Sequence, residues 1–388
     1  MTHTPRNILL MRWYFLFTSL RFFSAIQIIY FVKVTGSFTL GMSLFAVSSL
    51  SQAILEIPTG IFSDSLGRKW TTILAAFSGL IAVTLYAIGF SYWFLFLGAV
   101  IEGLARALGS GNNQAFMYDS LKDVQKEDDL YKYLGQIGTL QSVGFGLTAL
   151  VGGFIATFSF GLAMWLSAFT QFCAFVITLL LSSPVSQSKT ELNPYEHLKQ
   201  ALLGFKNNPQ LRLLTLSRAL TGSIGEAAYQ FTPSFIAGLW PLWAIGIYNA
   251  TNNILAAIGY HMSDRFIKRF KKLNLITGSF IFRRITDSIA FAFPSIFSPI
   301  LLCFNSVFYG SAEVAEDSLL HEHYSDKQRA TMGSLESLLT TACFAVASVL
   351  IGFVADKFGA AHTLLLAQIA LLPVLWLYWR MFKHSANP

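Results

Sequence analysis

Long apolar runs separated by short clusters of charged residues dominate this chain. A helix that crosses a bilayer needs roughly 20 mostly apolar residues. That length divides the first part of the sequence into runs near 12–33, 40–62, 71–90, 93–118, 137–158 and 161–182. A second set follows at 211–236, 238–261, 273–293, 296–318, 331–354 and 361–381. The pattern predicts an all-α membrane protein of twelve spanning helices in two six-helix halves, 1–183 and 211–388, joined by a polar linker over 184–210. Within the linker, Tyr195, Leu198, Leu202 and Phe205 recur at helical spacing among lysines. They fit either a helix lying on the membrane surface or a plain connection.

The basic residues give an orientation. They crowd the amino terminus (Arg6, Arg12), the 2–3 loop (Arg68, Lys69), the 4–5 loop (Lys122, Lys126, Lys132) and the linker. They return in the 8–9 loop (Arg265, Lys268, Arg269, Lys271, Lys272), in the 10–11 loop (Lys327, Arg329) and near the carboxyl end (Arg380, Lys383). The opposite side carries only Lys33 and Lys357. Cytoplasmic loops are enriched in Lys and Arg, so both termini are expected in the cytoplasm of a multi-pass inner-membrane protein. Arg21 interrupts the first apolar run and no small-residue cleavage site follows, so that run reads as the first span rather than a signal peptide.

Composition agrees with a lipid-facing surface. Charged residues make up 12% of the chain and apolar residues 54%, whereas a soluble domain carries about 25% charged residues. The net charge of +7 does not point to nucleic acid, which needs a basic face on a solvated domain. Cys173, Cys303 and Cys343 lie in apolar segments without metal-ligand spacing, and His321-x-His323 is a weak metal signal. Neither a cofactor nor a resident metal is expected, and a monomer is.

The halves repeat. Asp64 is matched by Asp264, Asp119-Ser120-Leu121 by Asp317-Ser318-Leu319, Gly138-Thr-Leu-Gln-Ser142 by Gly333-Ser-Leu-Glu-Ser337, and Arg21 by Arg218, each about 200 residues on. Gly60-x-x-x-Asp64-x-x-Gly67 of the first half also reappears in the second as Gly352-x-x-x-Asp356-x-x-Gly359, on the opposite membrane side. An inverted three-helix repeat nested in each half produces that arrangement, and secondary transporters are known to be built in this way.

The segment Gly60-Ile-Phe-Ser-Asp64-Ser-Leu-Gly67-Arg68-Lys69 resembles the signature loop of the major facilitator superfamily. Ser65 departs from it, standing where the family usually has arginine, and Ser263-Asp264-Arg265 is a worn second copy. Tyr118-Asp119-Ser120-Leu121 and Arg329-Ala330-Thr331 also look like bacterial members. Gly60 and Gly67 suit close packing and a tight turn. Asp64 is placed to accept from free amides at the start of a neighbouring helix; the resemblance implies that this is span 11, which makes Asp64 and Asp264-Arg265 gating residues. Arg68 and Lys69 are expected among anionic head groups.

Charges inside the runs are the functional clue, because an ionisable group at mid-bilayer costs roughly 2.5–3.5 kcal/mol even on lenient scales. They are Arg21, Glu56, Glu102, Arg106, Arg218, Glu226, Arg283, Arg284, Asp287, Glu313, Glu316 and Glu336. The resemblance implies that spans 1, 4, 7 and 10 line a central cavity, and all four carry charge. Glu102 and Arg106 are spaced to pair on one helix face, with Asn113 continuing it. Asn305, Tyr309 and Glu316 form a stripe on span 10, and Asn249 with Asn253 one on span 8. Carboxylates in such a crevice can gain and lose protons, which makes Glu102, Glu226, Glu313 and Glu316 the proton-coupling candidates. Arg21, Arg106 and Arg218, with the asparagines and Tyr309, are the substrate-cavity candidates, and the arginines suit an anionic group. Span 9 is expected to be peripheral, with Arg283 and Asp287 a structural ion pair.

These features predict a proton-coupled secondary transporter of a small organic solute, working by alternating access, with export ahead of uptake. Gly152-Gly153 keeps part of a span 5 motif usual in drug/proton antiporters, but Thr148-Ala149 replaces its Gly-Pro. An uptake symporter for an anionic or zwitterionic metabolite or siderophore, and a non-transporting membrane sensor, are the alternatives. No Walker loop or enzyme site stands out.

Overall fold

The computed structural model describes residues 6–185, 209–323 and 326–386, without the side chains of Asp64, 209–211, 320–335 and 382–386. The linker positions Tyr195 to Phe205 and the side chains of Asp64, His321 and His323 therefore lie outside the described residues. Among the described residues there is no strand. The helices are α1 (Arg6–Ser19), α2 (Gln27–Thr35), α3 (Phe38–Leu66), α4 (Arg68–Ile88), α5 (Tyr92–Gly109), α6 (Asn112–Lys122), α7 (Leu130–Phe158) and α8 (Phe160–Leu179). Then come α9 (Pro209–Ile236), α10 (Leu242–Phe270), α11 (Lys272–Ala292), α12 (Ser298–His323), α13 (Asp326–Ala370) and α14 (Val374–Ala386).

By length and apolar composition, seven described segments can cross a membrane: Arg6–Thr35, Phe38–Ser63, Arg68–Ile88, Tyr92–Lys122, Glu127–Phe158, Phe160–Leu179 and Glu336–Met381. The last joins two predicted runs, because α13 continues through Gly359 (φ 75°, ψ 172°), where its two limbs meet without a loop. Helices α9 to α12 coincide with four predicted runs and are 21 to 29 residues long. Polar and ionisable side chains dilute their hydropathy, so composition alone does not mark them as spans.

The chain forms two compact units. One comprises Met1–Gly36, Leu44–Glu191 and Leu242–Gly246; the other comprises Ser37–Ser43, Leu192–Pro241 and Ile247–Pro388. In the first, α4 packs on α5 and α8, and α1 on α7 and α8; in the second, α9 packs on α13 and α14, and α11 on α12 and α13. Two glycines set close approaches. A Cβ on Gly103 of α5 would stand 2.6 Å from the Ser48 carbonyl oxygen of α3, and one on Gly310 of α12 would stand 2.9 Å from the Tyr260 amide nitrogen of α10. Helices in lipid use small residues for such contacts, because apolar burial against neighbours gains little there.

The assignment of Ser37–Ser43 has a visible cause. The Asp356 carboxylate on α13 accepts from Ser37 Oγ (2.6 Å), Phe38 N (2.6 Å), Thr39 N (2.9 Å) and Thr39 Oγ1 (2.6 Å), capping the first turn of α3. Amides in a helix's first turn have no partner within the helix, and an anion there is favoured by the helix dipole.

Candidate functional site

In the first unit the site begins with a break. The predicted first span is interrupted between α1 and α2, and Arg21 sits in the interruption. Freed backbone groups in a membrane interior must find partners, and α8 supplies them. Ser167 Oγ accepts from Phe22 N (2.9 Å), Thr170 Oγ1 donates to Leu20 O (2.7 Å), and Gln171 Nε2 donates to Thr18 O (3.2 Å). Gly152 of α7 lets its backbone approach the Phe22 carbonyl where a Cβ would collide.

The break delivers the Arg21 guanidinium to Glu102 of α5, Nη1 to Oε1 at 2.6 Å. Arg106 Nη2 reaches the same Oε1 at 3.0 Å, so the spacing of Glu102 and Arg106 does make a pair. Tyr86 donates its hydroxyl to Oε2 at 2.8 Å. Glu102 is 2% exposed, so two cations and a phenol hold one buried carboxylate. The α5 helix ends at Gly109, and the Ser110–Gly111 junction (Gly111 φ 69°) opens α6. Ser110 Oγ donates to Glu56 Oε1 at 2.7 Å. Asn113 lies on α6 beside Tyr14.

In the second unit, a cavity of about 220 Å³ is lined from α9 by Arg218, from α11 by Arg283, from α12 by Tyr309, Glu313 and Glu316, and from α13 by Glu336. Phe280 and Tyr378 add aromatic walls. Arg218 donates from Nη1 to Asp317 Oδ1 (2.6 Å) and pairs through Nε with Glu336 Oε1 (2.7 Å). Tyr378 donates to Glu316 Oε1 at 3.3 Å, and Tyr260 donates to Glu313 Oε2. Arg218 and Glu316 thus gather with Glu313 and Tyr309 around one space.

Other predicted residues land elsewhere. Asn305 donates to Asp287 Oδ1 (2.5 Å) and accepts from Thr286 Oγ1 (2.7 Å), so it ties α12 to α11. Asn249 is buried, Asn253 is exposed, and the neighbouring Asn252 accepts from Ser306. Glu226 is exposed and accepts from Gln230 Nε2 at 2.7 Å. Span 9 departs from expectation. Arg284, not Arg283, is nearer Asp287 (Nη2 to Oδ2, 3.7 Å), and Arg283 lies over the Tyr309 ring, 5.1 Å from its centroid, at the cavity wall.

The signature loop also differs in part. Gly67 (φ 92°) turns α3 directly into α4. Arg68, expected among head groups, pairs internally through Nε with the fully buried Asp119 Oδ2 at 2.7 Å. Asn112 braces the corner, accepting from Ser63 Oγ (2.8 Å) and donating to Thr72 Oγ1 (2.9 Å) and Arg68 O (3.2 Å). Lys69 lies over Trp70 at 5.8 Å. Asp264 pairs with Lys268 at 2.6 Å on an exposed helix face, with Arg265 exposed beside it. Asp119 and Asp317 stand out in the sequence as repeat markers, but their partners do not, and Tyr86, Tyr260 and Tyr378 carry no signal there among the chain's 14 tyrosines.

Known proteins share the family and fold of this chain. The family model described as Major Facilitator Superfamily matches residues 10–335. "Uncharacterized transporter BU466" of Buchnera aphidicola subsp. Acyrthosiphon pisum (strain APS) is 29% identical over 175 residues, which is 45% of this chain and 43% of that protein. The quinolone resistance protein NorA of Staphylococcus aureus (strain MRSA252) is 26% identical over 253 residues, 64% of this chain and 63% of NorA. The chain therefore spans less than two thirds of either relative's length. Among solved structures, the nucleoside transporter NupG aligns with a TM-score of 0.77 at 16% identity, covering 98% of this chain and 100% of that one. The POT family transporter PepTSo aligns at 0.74 and 12% identity, covering 100% and 99%. At these identities the likeness is one of fold.

Proposed function

This chain belongs to the Major Facilitator Superfamily, and we propose that it is a proton-coupled carrier that exports a small organic solute across the cytoplasmic membrane by alternating access. Membership makes it a multi-pass membrane transporter of small molecules rather than an enzyme. Twelve spans in two pseudo-symmetric halves, both termini in the cytoplasm and a monomeric carrier complete the reading.

The observation that carries it is the cavity where Glu313 and Glu316 meet Arg218 and Glu336. Two of its carboxylates have tyrosine hydroxyls as their hydrogen-bond donors. A phenol can donate to a carboxylate and accept from a carboxylic acid, so both protonation states can be accommodated at Glu313 and Glu316. Glu102, clasped by two guanidiniums, is the poorer proton site and serves as the anchor of the first unit. Export draws support from the relatives named quinolone resistance proteins.

Purified protein in proteoliposomes with an imposed pH gradient tests the reading. Gradient-driven flux of an accepted solute is expected in wild type and lost in Glu316→Gln or Glu313→Gln, with solute exchange retained. Flux indifferent to the gradient for every accepted solute refutes coupling. Wild-type coupling in both variants removes the two carboxylates as proton sites.

A further inference from the structure

We propose that Arg283 is the substrate-reading cation of the second unit's cavity, and that it takes the carboxylate of a small aromatic acid. The inference rests on the transporter reading, but not on proton coupling. The arginines that the sequence offers for an anion are already engaged: Arg21 and Arg106 share Glu102, and Arg218 is divided between Asp317 and Glu336. Arg284 faces Asp287. Arg283 lines the same cavity as Arg218, yet its guanidinium makes no hydrogen bond or ion pair to any described residue, and its buried Nε lacks an acceptor. A charged guanidinium is kept inside a membrane helix only where something compensates it. Here its Cζ lies over the Tyr309 ring, 5.1 Å from the centroid, and a guanidinium held over a ring still has a donor fork to offer a planar acceptor.

The surroundings narrow the ligand. The cavity carboxylates have their own partners: Glu336 on Arg218, Glu313 on Tyr260 and Glu316 on Tyr378. Of the two arginines that line the cavity, Arg283 is the one without an ion pair to a described residue, and the buried Asp287 carboxylate one turn along α11 balances its charge only at longer range. Phe280, Tyr309 and Tyr378 present ring surface around Arg283, so the solute brings a flat apolar body with its carboxylate. An apolar space of roughly 150 Å³ holds benzene, and about 220 Å³ admits one ring with a carboxylate attached.

The test uses three probes on one ring, benzoate, benzamide and benzylamine, which carry a negative, no and a positive charge. The full-length protein in detergent micelles is titrated with each while its melting temperature is followed, since a ligand of the folded state raises it with concentration. Benzoate is expected to stabilise wild type and the exposed-site control Arg269→Gln alike. Arg283→Gln should weaken benzoate at least tenfold, and Arg283→Lys, which keeps the charge and loses the fork, should weaken it by less. If Arg283→Gln does not fold, the lysine variant decides, and an unchanged benzoate response there refutes the fork. The proposal is overturned if benzoate fails to stabilise wild type, if benzamide or benzylamine does as well, or if Arg283→Gln binds benzoate normally. No pH gradient is applied, so this result and the liposome result can fail separately.

Discussion

Replacing Glu102 by Gln removes the shared anion of the first unit and leaves Arg21 and Arg106 facing a neutral amide. Both guanidiniums contact the same Oε1, at 2.6 and 3.0 Å, so the change uncovers two like charges as well as deleting an attraction. Removing one partner of a buried pair costs about 3–5 kcal/mol. The side-chain exposures of Arg21 and Arg106, 22% and 47%, make the Arg21 contact the dominant one, because exposed pairs contribute about 0–1 kcal/mol. Expected losses therefore rank Glu102→Gln above Arg21→Gln above Arg106→Gln. Tyr86→Phe, which loses one hydrogen bond to a charged group, should cost about 1.5–3 kcal/mol. The assay is reversible unfolding of the purified protein in dodecylmaltoside by SDS, followed by tryptophan fluorescence, with a double-mutant cycle on Arg21 and Glu102. A Glu102→Gln loss under about 1 kcal/mol, or additivity of the Arg21 and Glu102 variants, would show that the cluster does not hold the unit together.

Three further changes read other parts of the fold in the same assay. Asp356→Ala should cost about 1–2 kcal/mol, the range for a lost helix cap, with Asp356→Asn intermediate because one acceptor oxygen remains; equal stability of all three chains refutes the cap. Lys271 opens α11 at φ 63° and ψ 153°, a region glycine tolerates, so Lys271→Gly should gain about 1 kcal/mol by relief of strain while Lys271→Ala gains nothing. Gly310→Leu should lower stability by at least about 2 kcal/mol or abolish membrane expression, since α10 and α12 touch there. Gly278→Leu, with nothing within 4 Å of its Cβ, should be tolerated, and the same outcome for both glycines would refute the close packing.

Much of this fold is legible in the chain itself. Apolar run length anticipates most helix positions because backbone groups in lipid leave only helices or closed barrels as spanning forms. The Glu102–Arg106 pair follows from helical spacing alone. The Arg21–Glu102 contact does not, since it depends on a helix break that α8 side chains stabilise from about 150 residues away. Nor could the roles of Arg283 and Arg284 be divided. Asp287 lies four residues after one and three after the other, and both spacings allow a pair. Adjacent residues on a helix point about 100° apart, so the rotation of α11 against α12 chooses which arginine meets the cavity. Packing sets that rotation.

The inverted motif shows how far one pattern can be carried across the fold. Gly60-x-x-x-Asp64-x-x-Gly67 and Gly352-x-x-x-Asp356-x-x-Gly359 both end in a glycine with positive φ, 92° and 75°, at a junction where one helix passes straight into the next. An L residue with a side chain resists that conformation, so the final glycine answers to the backbone in both copies. Asp356 answers to a second demand, four hydrogen bonds to the first turn of α3. That is the task the sequence suggested for Asp64, carried out by its copy. What the copy drops is the basic pair: Arg68 and Lys69 follow Gly67, whereas Ala360 and Ala361 follow Gly359. Turn and cap are needed wherever two helices join, while Lys and Arg accumulate on the cytoplasmic side. The copy keeps its glycines and aspartate and carries one cation, Lys357, in place of two, as the bias of Lys and Arg towards the cytoplasm predicts for a copy facing the other way. Part of the lost pair also has an internal reason, because Arg68 is held by Asp119, whereas Ala360 at the matching position of the copy offers a buried carboxylate nothing to hold.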